Sequence, residues 1–182
     1  MRLVFMVEER SMKELLELML PKILPEGFEK PLIIPHNGKG DLAKSIPIKL
    51  RAWSNPNDKF IIIHDQDSND CKQLKTELVA LCANSRNEYL VRIVCTELES
   101  WYFGDLAAIS RAYGKDYTPL AAKKKYRIPD KIKNAKYELR KIIPSYQPLE
   151  GARKMGAQMK TDNNMSKSFN VLIDGIRKMI NN

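Results

Sequence analysis

Cysteine is scarce in this sequence. Its 182 residues hold three, Cys71, Cys82 and Cys95. An odd number at these spacings fits neither a disulfide framework nor a zinc or redox motif. Long apolar runs are absent too, and no stretch approaches the roughly 18 residues that a membrane-spanning helix needs. The apolar opening, Met1 to Met6, is short and meets Glu8-Glu9-Arg10 at once, the pattern of neither a signal peptide nor a transit peptide. A cytoplasmic protein with no membrane partner is the expectation. Internal repeats and low-complexity segments are also missing. What the last third lacks is acid. Residues 1–114 carry 15 Lys/Arg and 16 Asp/Glu, whereas residues 115–182 carry 16 and 6. The formal net charge of +9 therefore divides into −1 and +10, an asymmetry that points toward nucleic acid.

What is present is a core. A 43% hydrophobic fraction excludes a wholly disordered chain, and the length fits one domain, or one with a small appendage. Leu3-Val4-Phe5-Met6-Val7 is a continuous apolar run, as in a strand buried on both faces. Ser11 and Glu14 have capping-box spacing, and Met12, Leu15, Leu16, Met19 and Ile23 follow at helical intervals. Leu32-Ile33-Ile34, between Pro31 and Pro35, is a second strand. A helix over about 41–53 follows, with Pro47 predicting a kink or a later start. Phe60 to His64 is the clearest strand, the helix after it is capped by Asn69 or Asp70, and Leu90 to Cys95 is a fourth strand. A single helix is predicted from about 97 to 113. The alternation implies an α/β fold: an open, mostly parallel sheet of four or slightly more strands flanked by helices. Residues 1–114 form this unit. Residues 115–182, with helices near 131–142 and 164–180, read as a basic helical extension packed on it.

Ligands of open parallel sheets bind at the carboxyl ends of the strands. There the sequence places Glu8 and Glu9, then His36-Asn37-Gly38-Lys39-Gly40, then Asp65, Asp67 and Asp70, then Glu97 and Glu99. Asp65 and Asp67, two apart, point the same way in extended backbone, and with Glu8 they make an oxygen-only cluster suited to a hard cation. Asp70 and Glu9 read as helix caps or dipole partners. Glu97 and Glu99 share no helical face, so at most one joins the cluster. Lys39, and His36 beside it, sit where a phosphate can be held, although the loop is no Walker A motif; a surface turn is the other reading of His36. Trp101 with Tyr102 and Phe103 is either a base-stacking surface or core. Lys123, Lys124, Lys125, Arg127, Lys131 and Lys133 form a basic stretch, which either neutralises backbone phosphates or is a solvated face.

These residues carry a resemblance. Val7-Glu8-Glu9 resembles the Val-Glu-Gly that opens Toprim (topoisomerase–primase) domains, and Asp65-Gln66-Asp67 their Asp-x-Asp motif. The segments His36 to Leu42, Ile63 to Cys71 and Glu97 to Trp101 are similar to an uncharacterised bacterial family, domain of unknown function 4276. So are Tyr126-Arg127-Ile128-Pro129-Asp130 and Ser166-Lys167-Ser168-Phe169. The resemblance implies a Toprim-like sheet, Glu8 as general acid or base, and Asp65 and Asp67 as Mg²⁺ or Mn²⁺ ligands in phosphoryl transfer. It also implies work beside a partner ATPase in phage defence. The sequence departs from the Toprim pattern in Glu9, where glycine is usual and a side chain obstructs backbone approach to a phosphate. A metal-dependent nuclease is the leading expectation, with Glu8, Asp65, Asp67, Lys39, Glu97 and Glu99 at its centre. A non-catalytic nucleic-acid-binding or adaptor protein, partnering an ATPase, is the alternative. A phosphatase with Asp65 as nucleophile is disfavoured, because such an Asp-x-Asp usually lies on the first strand.

Overall fold

The structure is a computed structural model and describes residues 1–181. Four strands, β1 (Leu3–Val7), β2 (Leu32–Pro35), β3 (Lys59–Asp65) and β4 (Tyr89–Val94), form one sheet in the order β2-β1-β3-β4. All three pairings are parallel. The helices are α1 (Arg10–Met19), α2 (Lys39–Ala52), α3 (Cys71–Leu81), α4 (Glu99–Phe103), α5 (Leu106–Tyr113), α6 (Ala135–Ile142), α7 (Pro148–Gln158) and α8 (Lys167–Asn181). Short 3-10 turns cross residues 118–131. No described helix is long and apolar enough to cross a membrane.

The unbroken apolar run of β1 is buried at every position, because both of its faces are covered. Successive side chains of a strand alternate sides. Leu3, Phe5 and Val7 join Ile61 and Ile63 in one core with Met12, Leu15 and Leu16 of α1. Val4 and Met6 join Phe60 and Ile62 in the other, against Leu42 and Ile46 of α2 and Leu74 and Leu78 of α3. The first core also takes in Leu139 of α6, Ala152 and Met155 of α7, and Phe169, Leu172 and Ile176 of α8. Burying each such large side chain contributes ~1.5–3 kcal/mol.

Four local expectations are corrected. Helix α1 starts at Arg10 with Glu9 at its N-cap and no side-chain cap, so Ser11 lies inside it; the chain turns into the helix immediately after the strand. Pro47 lies within α2, which runs unbroken from Lys39 to Ala52, held on both sides of the proline by buried Ile46 and Leu50. The helix expected over 97–113 divides at Gly104–Asp105, where the Asp105 carboxylate accepts Ala108 N–H at 2.8 Å and starts α5. A Cβ on Gly104 would sit 1.9 Å from Asn164 Oδ1, so the division is a site of close packing. Helix α7 was not anticipated; Pro148 opens it at N1, where a missing N–H costs nothing.

The arrangement sets one reversal in the order of the strands. From β1 the chain passes through α1 to β2 on one side, and from β3 through α3 to β4 on the other. Helices α1 and α3 cover opposite faces. The carboxyl ends of β1 and β3 lie side by side where the loops diverge, the topological switch point at which α/β sheets bind ligands.

Candidate active site

Glu8, just past β1, and Asp65, at the end of β3, meet at that switch point. The Asp65 backbone N–H donates to Glu8 Oε2 at 3.3 Å. His64 Nδ1 lies 3.4 Å from the same oxygen and 2.6 Å from the Asp65 carbonyl oxygen, so a proton on Nδ1 serves both. Asp65 Oδ2 accepts the Leu98 N–H at 3.2 Å. Behind the pair, Glu99 is buried on α4; its Oε1 accepts the Tyr146 hydroxyl at 2.7 Å, and its Oε2 has no partner. A Cβ on Gly151 would meet the Tyr146 ring at 2.2 Å, so α7 must carry glycine there for the tyrosine to reach Glu99.

These carboxyls resist ionisation. Burial holds Asp65 well above the usual carboxylate range, and the nearby charges of Glu8 and Glu99 push it further. Burial also raises Glu8, against the opposing pull of His64, and raises Glu99 against the pull of Lys136. Lys136, which the sequence offers only as one more residue of the basic stretch, is the cation among these carboxyls. Burial alone would lower its ammonium, but the charges of Glu99, Glu9, Glu97 and Asp65 outweigh it and the pKa ends above the usual lysine value.

Asp67 is placed differently from its expectation. It lies beyond the strand, with φ at +51°, and its N–H donates to Thr96 O at 2.8 Å. Strand alternation therefore does not carry it onto Asp65's side, and its Oδ2 stands 3.4 Å from Lys39 Nζ. Among the described residues, no three His, Cys, Asp or Glu side chains converge as an ion-binding group. The Glu8–Asp65 pair still fits a Mg²⁺ or Mn²⁺ ion. Such an ion is satisfied by one or two carboxylates plus water, and two carboxyls held up by burial and mutual repulsion are a donor set that a cation would relieve.

The remaining candidates are distributed around this pair. Glu97 Oε2 accepts the Lys136 N–H at 2.9 Å and so caps the start of α6. His36 is buried rather than presented to a phosphate, its Nδ1 bound to Val7 O at 2.9 Å. Lys131 and Lys133 line a cleft of about 810 Å³ beside Asp67. Lys123, Lys124, Lys125 and Arg127 are exposed on the preceding turns, where Lys125 pairs with Glu138 and Arg127 Nη2 donates to Ala122 O. Trp101 is core, 1% exposed, with its Nε1 donating to Ser168 Oγ at 2.9 Å, so it offers no stacking surface.

A second polar cluster joins the two late sequence segments. Asp130 accepts the Ser166 hydroxyl, the Ser168 hydroxyl at 3.2 Å and the Ser168 N–H at 2.8 Å. Ser168 Oγ in turn accepts the Trp101 indole N–H and the Cys95 N–H at 3.3 Å. This latch ties the turn before α6 to the start of α8 and to the end of β4.

An open parallel sheet in the order β2-β1-β3-β4, flanked by helices on both faces, is an α/β fold of Toprim-like architecture. The chain belongs to the family described as domain of unknown function DUF4276, whose model matches residues 7–177. Its structure is similar to that of the C-terminal region of the Burkholderia pseudomallei OLD protein, with a TM-score of 0.60 and 15% identity over 98% of each chain. At that identity the likeness is one of fold. No curated protein matches the chain.

Proposed function

We propose that the protein is a metal-dependent nuclease, hydrolysing phosphodiester bonds at the carboxyl ends of β1 and β3. The observation that carries this reading is the Glu8–Asp65 pair, two crowded carboxyls at the switch point of a Toprim-like sheet. Glu8 and Asp65 would hold Mg²⁺ or Mn²⁺, with Asp67 joining if it leaves Lys39. When bound, the ion supplies Lewis-acid polarisation of a phosphoryl oxygen and lowers the pKa of a bound water. In the hydrolysis, water adds to phosphorus, the ester P–O bond breaks, and the leaving oxygen takes up a proton. Where Glu8 does not ligate the ion, it would act as the acid or base that moves that proton; burial raises its pKa above the ordinary carboxylate value, and His64 Nδ1 lies 3.4 Å from its Oε2. Lys39, Lys131 and Lys133 would hold backbone phosphates, and Lys136 would offset charge between the carboxyls.

A non-catalytic binding or adaptor protein, partner to an ATPase, is the second reading. It is favoured by Asp67, whose Oδ2 is paired with Lys39 Nζ at 3.4 Å. One experiment separates the two. DNA and RNA are incubated with Mn²⁺ and either wild-type protein or Asp65→Ala. Cleavage by the wild type alone supports the nuclease; equal products from both proteins remove Asp65 from the chemistry. Calorimetric titration of Mn²⁺ into wild type and Glu8→Gln checks the ion independently of turnover.

A further inference from the structure

The cleft beside Asp67 is walled on both sides. Gln66, Asp67, Ser68 and Asn69 form one wall; Asp130, Lys131, Lys133 and Asn134 form the other, with Thr96 and Glu97 between them. Its backbone is unusual. Four described residues other than glycine have left-handed φ, and three of them, Asp67 (+51°), Thr96 (+59°) and Asn134 (+52°), line this cleft. Such backbone costs of order 1 kcal/mol or more per residue and collects at ligand sites.

The walls are braced to hold that shape. Gln66 Oε1 accepts the Thr96 N–H at 3.2 Å, its Nε2 donates to Asn69 O at 2.9 Å, and Asn69 Nδ2 donates back to Gln66 O at 3.0 Å. The opposite wall hangs from the Asp130 latch. Thr96 Oγ1 is buried in this region with no hydrogen-bond partner. The cleft thus presents hydroxyl, amide and ammonium groups beside three carboxylates, of which Glu97 and Asp130 are occupied by protein donors and Asp67 stands against Lys39.

We infer that this cleft receives one unpaired strand of nucleic acid, with Lys131 and Lys133 on its phosphates, and leads it to the acidic pair. Its chemistry rests on the nuclease reading; its strand preference rests on the cleft alone. About 810 Å³ is within the ~300–1,000 Å³ of sites that enclose small ligands, which suits a short run of one strand. A duplex, whose major groove alone is about 12 Å across, spans such a cleft without entering it. Ammonium, amide and hydroxyl groups suit phosphate and sugar, so recognition is largely independent of sequence.

The test measures binding apart from cleavage. Fluorescence anisotropy with Asp65→Asn protein and Mg²⁺ compares a labelled 20-residue single strand with the same sequence as duplex. The single strand is expected to bind at least ~10-fold tighter. The exposed double variant Lys131→Gln/Lys133→Gln should weaken that binding ~10-fold and reduce the slope of log K against log salt by ~1.4, two phosphates at about 0.7 each. Single-strand binding with no cleavage by wild type would uphold the cleft and overturn the nuclease reading. Cleavage with equal affinity for both forms, or unaltered binding by the double variant, would overturn the cleft and leave the nuclease reading standing. Absence of binding to either form also overturns it.

Discussion

Two clusters of buried polar groups lie near the carboxyl edge of this sheet, and they are built on opposite terms. At Asp130 every oxygen is used: two serine hydroxyls and a backbone N–H converge on one carboxylate, and indole and backbone donors complete Ser168. At Asp65 the charges of Glu8 and Glu99 act against ionisation, one Glu99 oxygen has no partner, and all three carboxyls are held above their ordinary pKa. A satisfied network rigidifies a fold, whereas an unsatisfied one lowers stability unless something else completes it. The difference separates a structural latch from the cluster proposed above to hold a metal ion.

The contrast is tested first at Asp65, where the largest effect is expected. Asp65→Asn keeps the shape and the acceptor for Leu98 N–H but removes the charge. Cleavage should fall about 10²–10³-fold, the cost typical of removing one preorganised electrostatic group from an active site. The melting temperature should stay level or rise, because repulsion with Glu8 and Glu99 is relieved. A fall in melting temperature together with intact cleavage would make Asp65 structural and erase the distinction.

Asp130→Ala should do the reverse. It strands the Ser166 hydroxyl and the Ser168 N–H and hydroxyl in a buried setting. Losing a charged acceptor there costs about 3 kcal/mol, or roughly 10 °C of melting temperature in a chain of this size. Thermal unfolding by circular dichroism reads it directly. Asp130→Asn, which keeps one acceptor oxygen, should recover part of the loss. A wild-type melting curve for Asp130→Ala would show that the latch holds nothing.

The two clusters were not equally legible in the sequence. Glu8 and Asp65 stand out because each ends a run of buried aliphatic residues, and the end of a parallel strand is an address in the fold. The strands were legible for the same reason: Leu3 to Val7 and Phe60 to His64 leave no alternative to burial on both faces. Asp130 and Ser168 are 38 positions apart, and no local periodicity links them; only the resemblance marked their segments as notable. Helix α7 was hidden by Pro148, which reads as a breaker, although it opens the helix, and Gly151 is where Tyr146 passes to reach Glu99. Lys136 was lost in a run of similar lysines. Nothing in its neighbours' identity says that it alone turns toward four carboxyls, because that depends on where α6 lands. Asp67 misled in the other direction: strand alternation was extended two residues past the end of β3, into a turn with left-handed backbone.

Glu99 offers the smallest and most diagnostic measurement, because it belongs to the unsatisfied cluster yet carries no proposed metal bond. Its folded pKa is raised by burial, against the opposing effects of Lys136 and the Tyr146 hydroxyl. A carboxyl raised on folding holds its proton more tightly in the folded state. Its contribution to stability is therefore complete below the unfolded value, 4.5, and is lost as pH rises through the higher folded value. Glu99→Gln keeps an acceptor for Tyr146 and cannot ionise. Melting temperatures of the two metal-free proteins should be closest at pH 4.5, and the variant should gain on the wild type by an amount on the order of a few degrees by pH 7.5. Comparing the two proteins at each pH cancels groups that titrate in both, such as Glu14, which Arg153 holds below its ordinary range. If Glu99→Gln instead loses stability at every pH, the Tyr146–Glu99 contact is structural like the latch, and the unsatisfied cluster shrinks to Glu8 and Asp65.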